Sequence, residues 1–389
     1  GRTQAAVAES MGVARRTVER RLKAIREVAA VRGWSPEHNM TQVVPEGYVV
    51  KGTSTLYDGD GQPKLQWVKS SKTHEELMDM MRAAVEGMKD DIPKAVPSEF
   101  LGVNLDTDII PWFNIGDAHL GALAYKMETG EDNDISITER ELLSAMYTLI
   151  DETKACDRCV IYDCGDFTHH ETFDGITMGH GHRLDCDSRY PKMIESYSRI
   201  MRAIIHRALE KFRFVDVIIS QGNHSRSNDI FMRELLSCYF EEEHRVHVLD
   251  NSNVFIPYRM GNTFVMCHHG DKTKHQKLAG VMATDYSKDW GESTYRYIWT
   301  GHIHHREMLA KEEAGVMIES WNTLSRGDKY AHDNGWRSRK CLSVVELSKT
   351  YGEVGRRTIP IERVQDIING DVPGSSARNR KDKDVYTVM

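Results

Sequence analysis

No stretch of this 389-residue chain approaches the roughly 18–20 consecutive apolar residues that a membrane-spanning helix requires. A helical span is therefore excluded, and no membrane partner is expected. The N-terminus lacks the apolar segment of a signal peptide, so nothing in it directs export. A disulfide framework is missing as well. Seven cysteines, an odd number without repeated spacing, indicate reduced thiols and a cytoplasmic setting. Cys156 and Cys159 form one CxxC with no second pair after it, which reads as packed thiols beside a strand. Excess positive charge is absent too: the net charge is −7, so the whole chain is not a basic nucleic-acid binder.

Positive charge is concentrated locally. Residues 1–33 hold eight Arg or Lys against three Glu, a local excess of five. They read as a short helix, "TQAAVAESMG", closed by Gly12, and a second helix from Val13. In the second, Val18, Leu22, Ile25 and Val28 make one apolar stripe. Arg15, Arg16, Arg20, Lys23 and Arg26 lie off that stripe. Two helices around a Gly-containing turn, with basic residues near the start of the second, make a helix-turn-helix signature, and DNA is the partner it implies. The alternative is an amphipathic hairpin with a solvated charged face. The stretch resembles the helix-turn-helix modules of bacterial and phage DNA-binding proteins.

Residues 34–100 read as a linker holding a β-hairpin about Asp58-Gly59-Asp60-Gly61 and then a helix. A calcium loop there is rejected, because its twelfth position would be Lys69. From residue 101 to 363 short β-rich runs alternate with helical stretches, which predicts a layered α/β domain. Most runs end in a polar cluster, where active groups sit in open α/β sheets. Residues 364–389 are polar and read as a disordered tail.

Fifteen of the eighteen histidines lie between 119 and 305. Asp117 and His119 are two apart, as are His302 and His304, so each pair points one way from an extended segment. Asp166 and the Asn223-His224 pair complete a mixed nitrogen and oxygen set. Such ligands suit Mn2+, Fe or Zn2+ better than a structural Cys-rich zinc.

Five ordered blocks, "GDAH", "GDFTHHE", "GNH", "HHGD" and "GHIH", closely resemble the calcineurin-like metallophosphoesterase superfamily over residues 110–320. The resemblance implies a metallophosphoesterase β-sandwich flanked by helices and two divalent metals. Asp117, His119 and His304 would hold the first metal. Asn223, His269 and His302 would hold the second, and Asp166 would bridge both. His224 would be the catalytic acid. Two such metals clamp the attacking and leaving oxygens of an in-line phosphoryl displacement. "GDFTHHE" further resembles the second block of SbcD-type DNA repair nucleases, which makes His169 a candidate for contacting phosphate or orienting DNA.

With the basic N-terminal module, this favours a DNA phosphodiesterase, exo- or endonucleolytic, of a kind encoded by phages and acting in the host cytoplasm. The alternatives are a phosphomonoesterase or nucleotide phosphodiesterase with a recruitment module, and a DNA-binding regulator with vestigial catalysis. Mn2+ is favoured by the nuclease resemblance, with Fe, Zn2+, Ni2+ and Mg2+ open, and a homo-oligomer is compatible with the sequence. His170, His180, His182 and His305 carry no assigned role.

Overall fold

The computed structural model describes residues 4–31, 48–57, 63–72, 105–173, 175, 184–187, 189–303, 307–308, 314–326, 332–333, 335 and 338–370. For residues 24, 26–31, 48–53, 57, 63–72 and 307–308 it describes the backbone alone. The chain divides into two compact units, 1–93 and 94–389.

In the first unit, α1 (Gln4–Ser10) and α2 (Arg15–Val31) flank a turn in which Gly12 takes a left-handed φ of 63°. Ala8 and Val18 are buried, and Arg15, Arg16, Arg20 and Lys23 are exposed. Arg15 is tied to Glu19 at 2.9 Å. The side chain of Arg26 lies outside the described residues. One expectation is corrected: Ile25, placed on the apolar stripe, is 61% exposed. At about 1.5 Å per residue, α1 is too short to cover more than the first turns of α2. Strands β1 (Tyr48–Tyr57) and β2 (Pro63–Lys72) pair antiparallel as the expected hairpin. Its turn and the helix read after it lie outside the described residues.

The second unit is a four-layer α/β sandwich. In chain order it contains β3 (Ile109–Ile115), α3 (Lys126–Thr129), α4 (Ile135–Glu152), β4 (Arg158–Asp163), α5 (Tyr190–Leu209), β5 (Phe214–Ile219), α6 (Arg226–Tyr239) and β6 (Val246–Val248). There follow β7 (Ile256–Met260), β8 (Thr263–Cys267), α7 (His275–Asp285), α8 (Ser287–Gly291), β9 (Tyr295–Thr300), β10 (Glu307–Met308), β11 (Val316–Ser320), β12 (Cys341–Ser348), β13 (Gly352–Pro360) and α9 (Ile361–Asn369). One sheet has the order β13-β12-β3-β4-β5-β6 and the other β10-β11-β9-β8-β7. Neighbours from β3 to β6, and β8, β9 and β11, run parallel.

Strand alternation sets the layers. Ile110 and Trp112 of β3, Val160 and Tyr162 of β4, and Val345 and Leu347 of β12 face the other sheet. There they meet Val265 and Cys267 of β8 and Tyr297 and Trp299 of β9. The far face of the six-stranded sheet packs against α4, α5 and α6. The five-stranded sheet buries Phe264, Met266 and Ile298 against Leu278, Ala279 and Met282 of α7.

The tail reading from residue 364 is also corrected. Ile361 and Val364 are buried one turn apart, so the helix α9 continues to Asn369 and ends at Gly370 in a left-handed cap. Residues 371–389 lie outside the described residues. All seven cysteines are free thiols, and Cys156 and Cys159 are buried as the packed pair that was expected. No helix among the described residues is long and apolar enough to cross a membrane.

Trp112 joins the two sheets. It is fully buried and packs edge-on against Trp299 at 4.9 Å and Tyr258 at 5.0 Å between ring centroids. Trp112→Ala should cost about 3–5 kcal/mol, read as a lowered midpoint in urea. Tyr351→Ala, at an exposed ring, should stay within about 0.5 kcal/mol of wild type.

Candidate metal centre

Five loops leave the carboxyl ends of β3, β4, β5, β8 and β9 at one edge of the sandwich, and each carries one of the polar blocks. The first two loops run side by side. His119 N–H donates to the Asp166 carbonyl at 3.0 Å, Leu120 N–H to Phe167 at 2.7 Å, and His169 N–H to Leu120 at 2.9 Å. This pairing brings Asp117, His119 and Asp166 together, all buried, with ligand-capable atoms within 4.8 Å of one another. On the other side Asp166, His269 and His302 form a second such group. Asp166 belongs to both.

The donor set is preorganised. The His269 ring donates from Nδ1 to the Cys164 carbonyl at 2.8 Å, which turns Nε2 inward. That Nε2 lies 3.1 Å from Asp166 Oδ2 and 3.1 Å from Asn223 Oδ1. The other Asp166 oxygen, Oδ1, accepts the His224 N–H at 2.7 Å. Asp117 Oδ2 accepts the His302 N–H at 2.7 Å, and Thr323 Oγ1 donates to the Asp117 carbonyl at 2.5 Å. Three of these residues have left-handed backbones: His119 at φ 44°, Asp166 at 52° and His302 at 68°. Such strain in non-glycine residues concentrates at functional sites.

Close approach of the loops depends on two glycines. A Cβ on Gly222 would fall 2.0 Å from Asp166 Oδ1, and one on Gly301 would fall 2.2 Å from Asp117 Oδ1. No side chain fits at either position while the carboxylate keeps its place.

Charge is balanced within the cluster. Burial opposes a charged His269, but the Asp166 and Asp117 carboxylates and the hydrogen bonds to Asp166 and Cys164 prevail, pushing its pKa up to about 10. Burial likewise resists ionisation of Asp166. His269, then His119 and His224, nevertheless hold that carboxyl well below the usual carboxylate range. Burial and then the charge on His269 lower His302. A proton on His269 Nε2 therefore sits where a divalent cation would be held by the same nitrogen, Asp166 Oδ2 and Asn223 Oδ1. The oxygen and imidazole donors fit a hard or borderline metal.

His224 and His169 stand beside the first group. The His224 ring is 5.0 Å from that of His119, and its Nδ1 lies 3.2 Å from the His169 carbonyl. His169 is directed inward, with Nδ1 3.3 Å from His119 Nδ1. His304, expected on the first metal, lies outside the described residues, as do His180, His182 and His305. His170 is buried against Tyr190 away from both groups, its Nδ1 on the Thr172 carbonyl at 2.7 Å.

Arg326 and Lys340, between β11 and β12, each meet acidic partners. Arg326 bonds Glu141 and the Asp132 carbonyl, and Lys340 bonds Glu131 at 2.7 Å.

The sequence reading missed Arg226 and Asp271, whose side chains meet at 3.4 Å across the third and fourth loops. It also missed Asp163, Tyr197 and Asp229 beneath the site. A carboxylate inside the strand run "VIYD" was the available signal for Asp163.

No protein-family model matches the chain, and no curated protein matches it. Among solved structures, a predicted phosphoesterase from Streptococcus pneumoniae is 10% identical, over 65% of this chain and 98% of its own, with TM-score 0.26. A Vps29 mutant from Entamoeba histolytica is 13% identical, over 64% and 99%, with TM-score 0.26. A putative 5'-nucleotidase from Staphylococcus aureus is 14% identical, over 65% and 54%, with TM-score 0.32. At this level of similarity the reading of the site rests on its own geometry.

Metal uptake should depend on pH with a definite sign. Below about 10, metal-free His269 carries a proton that a metal must displace, so binding releases it. Mn2+ affinity should thus rise as pH climbs from 6 to 9, by up to about tenfold per unit. Calorimetric titration in buffers of different ionisation enthalpy reads both affinity and proton release. A flat profile would contradict the placement of His269.

Proposed function

We propose that this chain is a two-metal phosphoesterase of the calcineurin-like type that hydrolyses phosphodiester bonds in DNA. The observation that carries the reading is the position of Asp166 in both ligand groups at once. Asp117, His119 and Asp166 would hold one cation, with His304 as the expected fourth ligand. Asp166, Asn223, His269 and His302 would hold the other. Two metals so held supply Lewis-acid polarisation of a phosphoryl group and acidify the attacking water.

The residues of the chain do the rest. Asp166 offers one oxygen to His269 and the other to the His224 N–H, so its carboxylate cannot swing away from either group. The Cys164 carbonyl keeps His269 in the tautomer that presents Nε2. His224, with Nδ1 engaged by the His169 carbonyl, has Nε2 to exchange a proton with a substrate oxygen. Asp117, Asp166 and His269 are each 1% exposed, so their charges interact with little screening by solvent.

DNA as the substrate is supported by the exposed basic residues Arg16, Arg20 and Lys23 of α2. The same two-metal chemistry serves a phosphomonoester or a nucleotide diester. The Arg15–Glu19 pair, which withdraws one cation from that basic set, favours this second reading.

A substrate panel separates the two. With Mn2+, wild-type protein should cleave linear or nicked DNA and a nitrophenyl phosphodiester. Asn223→Ala and His302→Ala should abolish turnover, and His224→Ala should lower kcat about 10²–10⁴-fold with Mn2+ still bound. Removing residues 1–33 should weaken DNA binding and flatten its dependence on salt. Rapid hydrolysis of a phosphomonoester with all DNA left intact would establish the second reading.

A further inference from the structure

Beneath the metal centre lie two carboxyls with no metal-binding role, Asp163 at the end of β4 and Asp229 in α6. Each is 1% exposed. No Lys or Arg is bonded to either among the described residues. Burying an unpaired carboxyl is costly, and an apolar pair would serve stability better. Their hydrogen bonds give the reason for their presence.

Asp163 Oδ1 accepts the Gly165 N–H at 3.0 Å, one residue before Asp166. Asp229 Oδ2 accepts the Gly222 N–H at 2.8 Å, one residue before Asn223, and the Ser225 hydroxyl at 2.6 Å, one residue after His224. Each carboxyl therefore grips the backbone of one ligand loop. Tyr197, from the middle of α5, stands between them. Its hydroxyl donates to Asp163 Oδ2 at 2.8 Å, and the nearby Asp229 carboxyl acts on it electrostatically. Its ring stacks on Phe167, the neighbour of Asp166, with centroids 4.0 Å apart and planes at 12°. The two loops are almost in backbone contact here, since a Cβ on Gly165 would lie 2.8 Å from the Gly222 nitrogen.

We propose that Asp163, Tyr197 and Asp229 form a buried clamp that fixes the separation of the Asp166 loop from the Asn223–His224 loop, and with it the geometry of the cation position between them. The three are positioning residues, since none reaches a ligand atom of the site. Burial, and then the charge of Asp163, hold Asp229 well above the usual carboxylate range. An amide at 229 keeps the oxygen that accepts from the Gly222 N–H and the Ser225 hydroxyl. The inference rests on the two-metal reading above.

The test is calorimetric titration of the full chain with Mn2+ alone. Tyr197→Phe keeps the ring stack and removes the hydroxyl. It should stay folded and bind one of its two Mn2+ ions at least about tenfold more weakly than wild type. Asp229→Ala should weaken the same ion, whereas Asp229→Asn should remain close to wild type. Ile204→Val, a fully buried change on the same helix, controls for lost stability and should leave both Mn2+ affinities unaltered. Wild-type affinities in Tyr197→Phe would overturn the clamp while leaving the metal centre intact. The clamp is equally overturned if Ile204→Val, at matched thermal stability, weakens Mn2+ as much as Tyr197→Phe does. Wild-type protein that takes up no Mn2+ would overturn the two-metal reading, and the clamp with it.

Discussion

The Asp166 carboxylate is the constraint on which the site depends. It is closed off from water and held by His269 on one oxygen and the His224 backbone on the other. A carboxylate so placed needs compensating positive charge, because isolation from water makes an unpaired anion very unfavourable. In the metal-free protein that charge is a proton on His269, supported by two further histidines. A pair of divalent cations would supply it more fully. The arrangement is therefore a vessel for positive charge first, and the phosphoryl chemistry proposed for it would follow from that.

The fold meets this requirement with strand ends and tolerated strain. Parallel strands in both sheets deliver five loops to one edge, so ligands far apart in sequence converge without a dedicated subdomain. His119, Asp166 and His302 accept left-handed backbones, at about 1–3 kcal/mol each. That cost is offset by the surrounding order: the paired first and second loops, the Thr323 contact to Asp117, and the apolar seam around Trp112 and Trp299. The glycines at 222 and 301 serve the same end, leaving room for a carboxylate oxygen where a methyl group would stand.

The layered α/β architecture was legible in the sequence because the strands are short apolar runs with a sharp polar end. "CVIYDCGD" and "VDVIISQGNH" state both the strand and its exit. The convergence of Asp117, His119, Asp166, Asn223, His269 and His302 follows once those exits share an edge. Other features were hidden for physical reasons. Tyr197 is one of several large residues on an amphipathic helix, and periodicity cannot tell a core tyrosine from one whose hydroxyl bonds a buried carboxyl. Asp229 falls within "SRSND", where a helix-start residue and a buried backbone acceptor look alike. The exposure of Ile25 depends on how little of α2 the short α1 can cover, which composition does not encode. The pairings of Arg326 with Glu141 and of Lys340 with Glu131 span 185 and 209 residues, which no local pattern encodes.

The bridging role proposed for Asp166 is tested most directly by anomalous diffraction at the manganese edge from crystals of the full chain grown with Mn2+. Two peaks about 3.5–4 Å apart are expected, one on each side of the Asp166 carboxylate, with His269 Nε2 and Asn223 Oδ1 on the second. A single peak, or two peaks that do not share Asp166, would contradict that role.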